Sequence, residues 1–175
     1  MALHIRPALP TDHDAIVGLV RSERLNPNGL EWPNFLVATE HDHLIGAVQL
    51  RRHHDGAQEL GSLVVERSSR GKGLATRLIN SLLASNPGRI LMITGRQHVS
   101  HYSAWRFRPI AAFDAPASIM RNYCLGQMIG GAFASGQNGA TRVVLDGCLP
   151  LTLPERRRPP RAVRVWRALR LPGFS

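Results

Sequence analysis

The residues best suited to chemistry lie in one short stretch. After an apolar run that ends at Glu66 comes RSSRGKG, residues 67–73. A stripe of Leu74, Ala75, Leu78, Ile79, Leu82 and Leu83 follows at helical spacing. Strand, glycine-containing loop and helix in that order make an anion-binding geometry. Glycine lets the backbone approach the ligand, and the unpaired N–H groups of a helix start point at it. Gly71 and Gly73 would open the loop, Ala75 keeps the first helical turn small, and Arg70 with Lys72 adds charge. The Walker pattern GxxxxGK[ST] is absent, and Thr76 stands where GxGxxG needs its third glycine. A solvated basic turn is the competing reading of GKG taken alone.

Other reactive types are scattered. The eight His include HDH at 41–43 and HHD at 53–55, in predicted turns at opposite ends of one strand. Neither belongs to an HExxH or Cys/His pattern, so solvated turn residues and no metal site are expected. Cys124 and Cys148 are lone thiols without metal spacing, and Cys124 has no matched base for nucleophilic work.

The chain that must position these groups has 175 residues, 22 Lys plus Arg, 12 Asp plus Glu and a formal charge of +10. The length fits one domain with an appendage, and 43% apolar content fits a globular body. Lys72 is the sole lysine, which excludes a lysine-rich nucleic-acid patch, although arginine can do similar work. Apolar runs are broken well short of the ~18 residues that a membrane span needs. The start, MALHIRPALPTDHD, has no apolar h-region, so no secretory signal is expected. Lone thiols suit a reducing compartment, and a cytoplasmic protein is the expectation.

The charge is uneven. Residues 151–175 hold seven Arg and Glu155, a balance of +6, whereas the first 150 residues hold +4. Pro150, Pro154, Pro159, Pro160 and Pro172 punctuate this end. The prediction is a domain over 1–149 and a basic Pro/Arg-rich tail over 150–175. In the tail, Ala162, Val165, Trp166 and Leu169 follow i, i+3, i+4, i+7 among arginines. Such a helix can lie on an anionic membrane surface, and docking on the body or disorder are the alternatives.

Along the body, 3–6 reads as a strand, and Thr11 as the N-cap of a helix carrying Ile16, Leu19 and Val20. Residues 26–33 are turn chemistry. Strands over 34–39, 44–52 and 59–66, joined by turn residues, form an antiparallel meander. A helix over 74–85 and a strand over 89–94 make a crossover to a parallel neighbour. A short helix within 98–106, a strand at 107–110, a glycine-weakened helix over 117–134 and a strand at 142–146 complete the body.

The segment ELGSLVVERSSRGKGLATRL, residues 59–78, resembles the acetyl-CoA-binding core of the GNAT N-acetyltransferase superfamily. That family's [QR]-x-x-G-x-[GA] signature falls on Arg70, Gly73 and Ala75, behind an apolar strand. YSAWRFRPI, residues 102–110, looks like its late Y-x-x-x-G-F-x-x motif, with Arg106 in place of the glycine. Element order matches as far as Ile110. The resemblance implies an α/β fold, a single-domain mixed, mostly antiparallel central sheet flanked by helices. It implies an N-acyltransferase that moves an acetyl group from acetyl-CoA to a small-molecule or peptide amine, directly in a ternary complex and without a metal.

By the same resemblance, the thioester would lie where two central strands splay apart. Leu63, Val64 and Val65 would pair with the pantetheine arm, one N–H polarising the carbonyl. Gly71, Lys72, Gly73, Leu74, Ala75 and Thr76 would hold the pyrophosphate, with Arg70 beside them. Glu59 sits where several members carry a catalytic glutamate, and Tyr102 matches the usual general acid. Their alternatives are a solvent-facing strand end and a packed aromatic. His98 and His101 lie near Tyr102 in sequence and are weaker candidates for proton transfer. The asparagine that often follows the fifth strand is missing, with Gly95, Arg96 and Gln97 in its place. The 26–34 loop occupies the position that usually shapes the acceptor pocket, with Glu31, Trp32 and Asn34 as candidate contacts and a hydrophobic plug by Trp32 as the alternative. Arg51, Arg52 and Arg96 are candidates for a substrate carboxylate. Two rivals stay open: an acyl-CoA-binding module without catalysis, and a protein that binds nucleic acid or an anionic surface through its tail. Nucleic acid is the less favoured partner, and a homodimer is compatible with the sequence.

Overall fold

The computed structural model describes residues 3–23, 25–133 and 142–149. The tail over 150–175 and its amphipathic stretch lie outside the described residues. The elements run β1 (Leu3–Pro7), α1 (His13–Ser22), β2 (Phe35–Glu40), β3 (His43–Arg52), β4 (Gln58–Val65) and α2 (Leu74–Ser85). They continue with β5 (Gly88–Gly95), α3 (Val99–Tyr102), β6 (Arg108–Ile110), α4 (Ala117–Phe133) and β7 (Arg142–Leu149). These strands form one sheet in the order β1-β2-β3-β4-β5-β7-β6. Only β4 and β5 run parallel; every other neighbouring pair is antiparallel. The fold is thus the mixed, mostly antiparallel sheet flanked by helices that the resemblance implied.

Period-2 alternation divides the core between the two faces of the sheet. On one face, α2 buries Leu74, Leu78, Ile79, Leu82 and Leu83 against Val48, Leu50, Leu60, Ile90 and Met92. Each such side chain contributes about 1.5–3 kcal/mol when fully buried. On the other face, α1 packs Ile16 and Val20 on Val37, Ala47 and Val64. Ile119 of α4 packs there too, on Leu91 and Val144. Strand β7 enters between β5 and β6, and Gly147 lets Phe107 close over it. A Cβ on Gly147 would lie 2.7 Å from the Phe107 ring.

One local expectation changes. Thr11 does not cap α1: Pro10–Asp12 is a 3-10 turn, and the helix starts at His13. Asp12 is the polar anchor, because its two oxygens can serve the Leu9 N–H (2.7 Å) and the Arg6 guanidinium (2.6 and 3.0 Å) together. The Arg6 hydrogen bond holds the Asp12 carboxyl below its usual range. Arg106, at the glycine position of the late motif, takes a left-handed conformation at φ 61 as its N–H closes on Ser103 O at 2.9 Å. Glycine suits that backbone better by about 1 kcal/mol. Arg106→Gly is therefore expected to raise the melting temperature by about 2–4 °C, read by calorimetry. An unchanged or lower value would refute the strain assignment.

Candidate active site

The parallel strands part early. β4 and β5 pair only through Glu59–Leu91 and Leu60–Met92, so from Gly61 to Val65 the β4 edge facing β5 has no partner strand. Just past the fork, β4 bulges. Ala47 pairs with Val64 but Gln49 pairs with Gly61, leaving Ser62 and Leu63 opposite Val48 alone. Ser62 has φ 48, a left-handed value costly for a non-glycine residue, and such strain concentrates at functional sites. Its hydroxyl donates to Gln49 Oε1 at 3.1 Å, and Gln49 Nε2 donates to Gly29 O at 2.6 Å. The bulge is thereby tied to the 26–33 loop.

Glu59 sits at the base of the fork and is 4% exposed, so it does not face solvent. His53 Nε2 and Glu59 Oε2 lie 2.8 Å apart, and Asn122 Nδ2 of α4 donates to the same oxygen at 3.0 Å. Among the described residues, Glu59 Oε1 meets only Arg51 Nη1, at 3.8 Å. His53 is therefore not a solvated turn residue, because the ring turns back under the hairpin to reach the carboxylate. Sequence reading missed His53, Asn122, Gln49 and Ser62. Alternation was the available signal: 49, 51 and 53 share a face with 59 and 61 across a register that pairs Arg51 with Glu59. Among the described residues, no three His, Cys, Asp or Glu side chains gather as a metal-binding group.

The turn after His53 holds α4 in place. Asp55 accepts from the Ser118 N–H at 3.0 Å, the Ser118 hydroxyl at 2.9 Å and the Ala57 N–H at 3.2 Å. These bonds, the Ser118 N–H first, hold its carboxyl pKa down to about 2. A carboxyl depressed in the folded state stabilises it above the unfolded value of 3.8, and that stabilisation fades as pH falls toward 2. Asp55→Ala is expected to speed amide exchange in the first turn of α4 at pH 7. Its melting deficit against the parent chain should shrink between pH 4 and about 2. A deficit independent of pH would contradict the tether.

Downstream, residues 67–69 form a 3-10 turn, and Gly73 takes φ 76 as the N-cap of α2, with no side chain capping the helix. The first i−4 bond runs from Arg77 N–H to Gly73 O at 3.1 Å, which leaves the N–H groups of Leu74, Ala75 and Thr76 ahead of it. Gly71 takes φ 79, and Lys72 is exposed with no acid beside it among the described residues. Arg70 is engaged otherwise: its Nε donates to Val65 O at 2.9 Å and its Nη2 pairs with Glu23, just after α1. It braces the loop against β4 and α1. Leu63 is half-buried, while Val64 and Val65 are buried on opposite faces of the sheet.

Tyr102 ends α3 and is buried on the α2 face, packed against Phe107 at 6.3 Å and His101 at 5.2 Å between ring centroids. Its hydroxyl makes no hydrogen bond among the described residues, and burial pushes its pKa up to about 12. Burial likewise pushes His101 below its usual value. Glu59 and Tyr102 make no direct contact. They lie on opposite faces of the sheet. In the 26–34 loop, Asn34 donates to Glu31 at 3.2 Å, and a hollow lined by His13, Leu30, Glu31, Trp32 and Pro33 lies beside it. No described helix is long and apolar enough to cross a membrane.

Residues 31–107 match a family described as an acetyltransferase (GNAT) domain. No curated protein matches the chain. N-acetylglutamate synthase from Neisseria gonorrhoeae, complexed with coenzyme A and N-acetyl-glutamate, superposes with a TM-score of 0.63 at 17% identity, over 86% of this chain and 36% of its own. The chain thus spans about a third of that enzyme's length. Rv2747 from Mycobacterium tuberculosis, in complex with CoA and NLQ, gives 0.61 at 19% identity over 84% of this chain and 99% of its own. An acetyltransferase of the GNAT family from Staphylococcus aureus Mu50 gives 0.59 at 14% identity, with coverages of 85% and 100%. At these identities the superpositions establish the fold.

Proposed function

We propose, from the premise that residues 31–107 form a GNAT acetyltransferase domain within a GNAT fold, that the chain transfers an acetyl group from acetyl-CoA to an amine. The observation that carries this reading is the fork. A strand edge open from Gly61 onward lies one short loop from an uncapped helix N-terminus. A pantetheine arm needs the first and a diphosphate the second. The coenzyme A bound in two of the superposed proteins supports the same donor. The free, exposed thiol of Cys124 fits a cytoplasmic place of action.

The residues present fit such a donor. Leu63, Val64 and Val65 would offer backbone groups to the arm. The N–H groups of Gly71, Lys72, Gly73, Leu74, Ala75 and Thr76, with the Lys72 ammonium, would hold the diphosphate. Arg70 would keep the loop in place through Val65 O and Glu23. The bound thioester supplies the acyl group, and its sulfur leaves as the thiol. On the α1/α4 face, Glu59 would take the proton from the acceptor ammonium through Oε1, the oxygen that His53 and Asn122 leave open. On the α2 face, Tyr102 would give a proton to the departing sulfur. A phenol with a pKa near 12 keeps that proton throughout the neutral range. The two faces thus divide acceptor from donor, and no covalent enzyme intermediate is required.

The test has two parts. Acetyl-CoA should raise the melting temperature, and an acceptor screen over amino acids, polyamines, aminoglycosides and peptides should release free thiol. Absence of any coenzyme A shift would end this reading. A shift without thiol release from any acceptor would leave a binding module in place of an enzyme.

A further inference from the structure

Arg51 is held only loosely beside the fork. Its guanidinium lies across Gly61, where a Cβ would come 3.7 Å from Nη1, and it reaches from Glu59 at the base of the fork to Ser62 at the bulge. None of its contacts is short. Nη1 is 3.8 Å from Glu59 Oε1, and Nη2 is 3.3 Å from Asn28 O and 3.4 Å from Ser62 Oγ. Nε is buried beneath the Gly29 turn with no hydrogen-bond partner among the described residues. Arg6 and Arg89, by contrast, each grip a carboxylate through two nitrogens at 2.6–3.1 Å. A buried cationic donor without a partner is costly, and sequences retain such groups chiefly where function requires them.

The surroundings say what would complete it. The Arg51 side chain is 22% exposed, so part of it remains accessible. Neutral groups, a carbonyl and a hydroxyl, orient the fork without neutralising it. One carboxylate oxygen, Glu59 Oε1, stands beside it, itself lacking any other partner among the described residues. A cation and an anion loosely paired on one floor match a molecule that carries both charges close together. A dianionic group would meet Glu59 unfavourably, and a plain amine would leave Arg51 uncompensated.

We propose that the acceptor is a free α-amino acid, its carboxylate on the terminal nitrogens of Arg51 and its amine at Glu59 Oε1. This rests on the acetyl-transfer reading and gives it a substrate class. The carboxylate fixes which amine enters the fork. Gly61 leaves the floor bare beside the guanidinium, and the 26–33 loop, held by Gln49 on Gly29 O, forms the adjoining wall.

The experiment uses the full chain and measures thiol release with each of the twenty L-amino acids, its C-terminal amide and its decarboxylated amine. Melting with and without acetyl-CoA is recorded in parallel. At least one amino acid should react with kcat/KM about 10- to 100-fold above its amide and amine, mainly through KM. Arg51→Gln should erase that gap while the acetyl-CoA shift stays. Arg51→Lys, which keeps the charge but loses the fork, should retain part of it. The inference is overturned if amides or plain amines serve as well as the acids, if the gap survives in Arg51→Gln, or if no amino acid is a substrate while acetyl-CoA binds. Should Arg51→Gln not fold, the acid-to-amide ratio of the unaltered chain and of Arg51→Lys decides. Lack of any acetyl-CoA shift would instead remove the acetyl-transfer reading, and the inference with it.

Discussion

Glu59→Gln is expected to lower kcat by about 10²- to 10⁴-fold while leaving the acetyl-CoA melting shift in place. The side chain is nearly isosteric, so the change isolates proton acceptance. Glu59 Oε2 receives the Asn122 amide and lies 2.8 Å from His53 Nε2, and Oε1 faces Arg51. A glutamine can turn its carbonyl to the first two partners, but its NH2 then faces the Arg51 guanidinium, donor against donor. That mismatch should cost about 1–3 kcal/mol of stability, so activity must be read well below the melting point. A purely structural carboxylate would lower the melting temperature and leave kcat within a few-fold. Loss of turnover with the donor shift intact separates the two.

Much of this architecture was legible in the residues. Apolar runs bounded by turn residues along 44–52 and 59–66 mark the central strands, and the stripe from Leu74 to Leu83 marks the helix that covers them. The change from an apolar strand to a helical stripe, with the glycine-containing RSSRGKG between, places the anion-binding loop. What stayed hidden arises from pairing across the sheet. Glu59 stood out at the start of a strand, yet its buried environment depends on Arg51 through hairpin register, on His53 through a turn that folds back, and on Asn122 from 63 residues away. His53 read as a turn residue because Asp55–Gly56 follows it, and turn chemistry says nothing about where the preceding ring points. The bulge left only an oblique trace, Gly61 inside a strand, with the strained φ one position later at Ser62. The insertion of β7 between β5 and β6 has no local signal, because strand order is decided by how the faces are covered.

Gly73→Glu should abolish the acetyl-CoA melting shift while changing the melting temperature of the free chain little. Gly73 takes φ 76 as the N-cap of α2, and a Cβ there would meet nothing within 4 Å, so the substitution brings strain without a clash. Left-handed strain costs about 1 kcal/mol. A carboxylate at a helix start returns about 0.3–1 kcal/mol through the helix dipole, and the two effects nearly cancel in folding. In binding they do not cancel. The same carboxylate places negative charge where the proposed diphosphate must sit, against the N–H groups of Leu74, Ala75 and Thr76. At a donor concentration 100-fold above Kd, the parent chain gains about 2.7 kcal/mol, a rise of roughly 5–10 °C for a protein of this size. That rise should vanish in Gly73→Glu and survive largely in Gly73→Ala, which carries the strain but no charge. A full shift in Gly73→Glu would move the diphosphate away from this loop. Loss in both variants would assign the effect to backbone conformation, so the alanine chain decides whether electrostatics or geometry governs the site.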